Sequence, residues 1–148
     1  GRIIQCSSVL GLVSGPYRGA YSASKFALEA LSDALRLELE GTGIHVSLIE
    51  PGPIRTKFLE SALKTFRQTI DVDGSPHRAV YKTRLEKMEA GGDDRFKLEP
   101  DAVAEKVQAA LESSTPKPRY FVTTPTYVAD GMRRLLPTRL LDRVVSSW

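Results

Sequence analysis

The chain has 148 residues, 41% hydrophobic and 26% charged, a balance that fits one globular unit and argues against a disordered tail. Its net charge of +3 is scattered instead of gathered in a basic block, which argues against a nucleic-acid partner. A single cysteine, Cys6, and two distant histidines, His45 and His77, give no internal disulfide and no metal-ligand spacing, and no apolar run approaches the roughly 18 residues of a membrane span.

Arg2 to Ser7 is a short apolar run that ends in small residues, the pattern of a buried parallel strand. The chain enters it directly from Gly1, without an initiator Met or a leader pattern, so the expectation is a piece of a longer, cytoplasmic protein. From Ala20 to Glu40 apolar residues recur at helical spacing, and Gly41 and Gly43 supply a stop. Ile44 to Ile49 is rich in β-branched residues and runs into Glu50-Pro51-Gly52-Pro53, where two prolines force an exit from the sheet. Strand, helix, strand makes a βαβ unit and an α/β class.

Residues 55–98 lack strand character. The reading there is a helix to about Ile70, a turn at Asp73-Gly74, and a helix opened by Ser75-Pro76 and closed by Gly91-Gly92. Such an excursion between sheet elements is expected to cover a substrate. A further helix starts at Pro100 with Val103, Val107, Ala110 and Leu111 inward, and Arg119 to Thr124 forms a short third strand. The tail, residues 126–148, is read as amphipathic helices interrupted at Pro137. Three strands make a thin sheet, in keeping with a partial fold.

Within the long helix, Tyr21 and Lys25 stand four residues apart, so their side chains leave the same face. An ammonium beside a phenol stabilises the phenolate, and Lys25 is the group placed to do so. On spacing alone, two solvated neighbours on a helix are the commoner arrangement. The surroundings decide: Cys6-Ser7-Ser8 ends the first strand, Ser8 precedes Tyr21 by thirteen positions, and the second strand leads into Pro51-Gly52-Pro53-Ile54-Arg55-Thr56.

In order and spacing, the run from Gly1 to Thr56 resembles the classical short-chain dehydrogenases/reductases, with some similarity to their hydroxysteroid and retinol dehydrogenase branch. The resemblance implies a Rossmann-like doubly wound parallel sheet. This chain would be the C-terminal, catalytic part, 1–148, and the N-terminal strands and Gly-rich loop are absent from it. It implies hydride exchange between a nicotinamide cofactor and a carbonyl or alcohol: an aldehyde, ketone, steroid or retinoid. By resemblance Tyr21 is the general acid/base, Ser8 holds the substrate oxygen, and Lys25 favours the phenolate while holding the nicotinamide ribose. Tyr21, Lys25, Pro51, Gly52, Ile54 and Thr56 would bind the cofactor, NAD or NADP, with NADP the favoured of the two. No metal is implied. The full-length protein is expected to be a homodimer or tetramer, through the apolar flank of Phe26 to Leu39.

Other candidates carry weaker signals. Ser7 would point to the face opposite Ser8 on an extended strand. Gly11, Gly15 and Gly19 do not have the spacing of a phosphate-binding turn and read as loop glycines. Tyr17 reads as a pocket wall, Cys6 as a small buried residue beside the cofactor, His45 as structural and His77 as exposed. The tail's leucines, interleaved with Arg133, Arg134, Arg139 and Arg143, are expected to pack on the enzyme, with weak peripheral membrane contact as the other use of such a surface. The alternatives to a hydride-transfer enzyme are a non-catalytic scaffold and an epimerase or dehydratase of the extended branch. The isolated piece is expected to be inactive.

Overall fold

A computed structural model describes residues 1–91 and 95–146. Three strands, β1 (Arg2–Cys6), β2 (His45–Glu50) and β3 (Arg119–Phe121), form one sheet in the order β1-β2-β3. Both pairings are parallel, with Ile4 opposite Ser47 and Ile49 opposite Tyr120. Parallel neighbours need crossovers, and helices supply them. A 3-10 turn (Val9–Gly11) and α1 (Gly19–Glu38) join β1 to β2. The helices α2 (Phe58–Thr69), α3 (Arg78–Glu89) and α4 (Asp101–Glu112) lie between β2 and β3, and α5 (Thr124–Leu135) and α6 (Thr138–Val145) follow.

β2 is the centre of the sheet and its residues from Val46 to Glu50 are all buried. Alternation along the strand sends Ile49 to one face, where it packs with Ala110 and Val122 and is flanked by Ile4, Val103 and Val107. Glu50 goes to the other face, toward α1. Helices therefore cover both sides, as a doubly wound sheet requires. A second small core, Val13, Ala129 and Val145, with Val9 and Leu141 against it, seats α5 and α6 behind the turn.

The helix stops fall where the glycines are. Gly41 (φ 79°), Gly43 (φ 74°) and Gly91 (φ 84°) adopt left-handed backbone after α1 and α3. The expected partner of Gly91, Gly92, lies outside the described residues, as do the last two positions of the tail. Three expectations need correction. The third strand ends at Phe121, because Pro125 suits the first turn of a helix and α5 begins at Thr124. Leu111 is exposed, since the inward face of α4 is spent on Val103, Val107 and Ala110. Cys6 is exposed, because β1 lies at the edge of the sheet.

Candidate active site

The carboxyl ends of β1 and β2 are laced together. Ser7 N–H donates to the Ile49 carbonyl (2.8 Å), and Val9 N–H donates to the Pro51 carbonyl (2.8 Å). Between them sits Ser8, buried and in extended backbone, whose Oγ accepts from Leu10 N–H at 3.2 Å and so caps the 3-10 turn. This places the hydroxyl at a strand end, where open α/β sheets bind ligands.

Tyr21 and Lys25 come from the first turns of α1, with Lys25 Nζ 5.7 Å from the centre of the Tyr21 ring. The ammonium has a fixed partner. It donates to the Cys6 carbonyl at 2.9 Å, so one side chain fastens the helix to the end of β1. The Tyr21 ring tilts against Phe58 of α2 at 5.8 Å between centroids. Among the described residues the Tyr21 hydroxyl has no hydrogen-bond partner, and no bond joins it to Ser8. Tyr17, just ahead of the helix, holds φ 63°, a strained setting for a residue other than glycine. Its ring is exposed and lies under the Arg84 guanidinium of α3 at 5.0 Å.

The Pro51–Thr56 loop is pinned at several points. A Cβ on Gly52 would fall 2.1 Å from Thr123 Oγ1 and 3.0 Å from Thr126 Oγ1, so only glycine lets the loop lie against the start of α5. The close approach expected of Gly52 is thus made to two buried threonines. Past it, Leu98 N–H donates to the Pro53 carbonyl (3.2 Å) and Arg55 N–H to the Leu98 carbonyl (2.9 Å), forming a parallel bridge at Ile54. Bonds from the residues on either side leave Ile54's own N–H and C=O pointing away from Leu98. Thr56 Oγ1 accepts from Phe58 N–H at 3.3 Å and opens α2. The bridge closes the neck of the 55–98 excursion, and an Arg55–Glu99 ion pair (2.8 Å) lies beside it.

Below this, three carboxylates that the motifs did not single out meet one guanidinium. Arg119 Nη2 donates to Asp33 Oδ2 at 2.7 Å, and its Nε donates to Glu29 Oε2 at 3.2 Å. The same Nε is 3.2 Å from Glu50 Oε1, an ionic contact without hydrogen-bond alignment, and Glu50 has no hydrogen bond to either carboxyl oxygen. Glu50 is 0% exposed. Burial, reinforced by the Glu29 charge, pushes its carboxyl up to about 8 against the pull of Arg119. Arg119 acts on Asp33 in the opposite sense, and its hydrogen bond holds that carboxyl below the usual range. A signal was available: Glu50 occupies an inward register with Val46 and Leu48, and Glu29 and Asp33 continue the Tyr21–Lys25 stripe.

Among the described residues no group of three or more His, Cys, Asp or Glu could hold a metal ion, and no helix is long and apolar enough to cross a membrane. A family model described as short chain dehydrogenase matches residues 1–67. The chain is 48% identical over 145 residues to the oxidoreductase YbbO of Escherichia coli (strain K12), covering 98% of this chain and 48% of that protein. It is 36% identical over 132 residues to human 17-beta-hydroxysteroid dehydrogenase type 1, covering 83% of this chain and 37% of that protein. The chain thus spans about half or less of the length of these curated relatives. Its fold matches a short chain dehydrogenase from Burkholderia cenocepacia J2315, solved in complex with NADP, with a TM-score of 0.64 and 21% identity over 99% of this chain and 48% of that one. With a parallel sheet covered on both faces, a serine at the end of β1, and a tyrosine and lysine one turn apart beside it, the chain belongs to the short-chain dehydrogenase/reductase family.

Proposed function

We propose that this chain supplies the proton-transfer machinery of an enzyme that exchanges hydride between a nicotinamide cofactor and a carbonyl or alcohol. The observation that carries the reading is the Lys25 ammonium, fixed between the Tyr21 ring and the Cys6 carbonyl while the Tyr21 hydroxyl has no partner among the described residues. In reduction, Tyr21 Oη gives its proton to the carbonyl oxygen, and the nearby ammonium stabilises the phenolate left behind. Ser8 already accepts from Leu10 N–H, so its own proton is the one to donate to the substrate oxygen. The cofactor, when bound, supplies or takes the hydride.

The residues present fit its nicotinamide end. A carboxamide needs one donor and one acceptor, and Ile54 offers both on the side away from Leu98. Thr56 can donate its hydroxyl proton, and Lys25 has two donors beyond the one given to Cys6, suited to a ribose diol. Pro51 and Gly52 hold that loop in place. We take NADP as the favoured cofactor over NAD on family grounds. These residues contain no Gly-x-Gly-x-x-Gly turn, and we expect the isolated chain not to turn over.

The substrate proposed is an apolar aldehyde, ketone, steroid or retinoid, because an exposed aromatic ring, Phe58, lies against Tyr21. Exposed Phe26, Leu31 and Leu37 of α1 are proposed as the face between subunits of a dimer or tetramer. An unpaired Cys6 suits a reducing cytoplasm. The test is turnover by the full-length protein with NADPH and NADH against aldehydes, ketones, steroids and retinoids. Loss of turnover in Tyr21→Phe is expected; an unchanged rate in that variant would overturn the reading.

A further inference from the structure

We propose that Arg119 is a positioning residue for the Tyr21–Lys25 pair, and that the carboxylates it gathers, Glu29, Asp33 and Glu50, make this positioning sensitive to proton loss. The inference rests on the reading of Tyr21 as the acid/base.

Tyr21, Lys25, Glu29 and Asp33 follow one another at intervals of four, so they form a single stripe along α1. The stripe has two anchors. Lys25 ties its upper part to β1 through the Cys6 carbonyl, and Arg119 ties its lower part to β3 through Glu29 and Asp33. Arg119 also lies against Glu50, the last residue of β2, whose next neighbour is Pro51. One guanidinium therefore joins the helix that carries the acid/base to the strand that carries the cofactor loop.

The charges do not balance when every carboxylate is ionised. Three negative groups face one Arg119, and Glu50 and Glu29 are both buried, each with at least one carboxyl oxygen lacking a hydrogen bond. The groups that act on Glu50 are Glu29 of α1, Arg119 of β3, and Asp130 and Arg133 of α5. On Asp33, Arg36 acts beside Arg119. A neutral Glu50 relieves the excess, and its ionisation sets a second buried negative charge beside Glu29, driving α1 from β2.

The sign follows. Folding raises the Glu50 carboxyl from 4.5 to about 8, so between those values the folded chain holds a proton that the unfolded chain has released. The stability this contributes is complete below pH 4.5 and is lost as pH rises toward 8.

The experiment uses the full-length protein and three variants: Arg119→Met, Arg119→Lys and Glu50→Gln. Thermal midpoints are taken across pH, amide hydrogen exchange is followed in residues 21–25, and kcat and KM are measured where a substrate has been found. Arg119→Met is expected to lower kcat by between about tenfold and a hundredfold with a much smaller change in KM. It should also speed exchange in residues 21–25, and Arg119→Lys should recover part of both effects. Glu50→Gln is expected to flatten the fall in thermal midpoint between pH 4.5 and 8. If Arg119→Met does not fold, Glu50→Gln and Arg119→Lys still decide. A wild-type exchange rate in residues 21–25 of an Arg119 variant would overturn the positioning role. So would a lowered midpoint with kcat untouched, and an alkaline fall that persists in Glu50→Gln would overturn the proton sensitivity. Absence of turnover with every carbonyl tested would sink the proposed enzyme activity alone, because exchange and midpoint still report on the clasp.

Discussion

In β2 every residue after His45 is buried, whereas neither α2 nor α3 buries a single one. The two regions are joined by the Pro51–Thr56 loop, yet they are held by different forces. The strand is fixed by ladder bonds on both sides and by the Ile49, Ala110, Val122 cluster. The helices hold each other through Phe66 against Tyr81 at 5.5 Å and through the exposed Arg67–Glu89 pair. They meet α1 and the segment just ahead of it through exposed rings, Phe58 on Tyr21 and Tyr17 under Arg84. The difference teaches where each task sits. On the proposed reading, the groups that would move a proton stand on the buried frame, where geometry is fixed, while the surface proposed to meet substrate stands on α2 and α3, which bury no residue.

That contrast can be broken or sharpened by substitution, beginning where the effect is greatest. Tyr21→Phe in the full-length protein should lower carbonyl turnover by about 10²- to 10⁴-fold, measured as kcat with saturating cofactor, and leave the circular dichroism spectrum unchanged. Ile49→Ala, at a residue 1% exposed, should cost about 2–5 kcal/mol of stability in denaturant unfolding. Gly52→Ala should cost about 1–3 kcal/mol through the clash with Thr123, and adding Thr123→Ala should restore part of it, a coupling that a double-mutant cycle would read. Phe58→Ala removes an exposed ring, so stability should change by less than about 0.5 kcal/mol while KM for bulky substrates rises relative to small ones. Smallest of all, Arg67→Ala breaks an exposed pair and should cost under about 1 kcal/mol, less in high salt. A large loss of stability in either of the last two would mean that the excursion belongs to the buried frame.

Local features of the site were legible because they depend on neighbours in the chain. Lys25 reaches the Tyr21 ring because helical spacing puts positions four apart together, and Pro51 with Pro53 had to leave the sheet. The start of α5 at Thr124 was less visible, since the β-branched Val122 and Thr123 prolong the strand-favouring Tyr120-Phe121 of β3 until Pro125 decides for helix. The exposure of Cys6 and Leu111 could not be read from residue type. Both are of kinds usually buried, and their environment depends on which sheet edge or helix face the fold leaves uncovered.

Taken alone, the sequence determined the βαβ order, the stripe that carries Tyr21 and Lys25, and the position of the loop after β2, all through periodicity and backbone chemistry acting over a few residues. Only the tertiary structure decided what those parts touch. It placed Thr123 where a Cβ on Gly52 would sit, turned Ile54's amide and carbonyl away from Leu98, and brought Arg119 to Glu29, Asp33 and Glu50. Arg119 is 90 residues from Glu29 and 86 from Asp33 in the chain. Contacts at that separation arise from the register of β3 on β2 and the docking of α1 over them, for which no local pattern of residues stands.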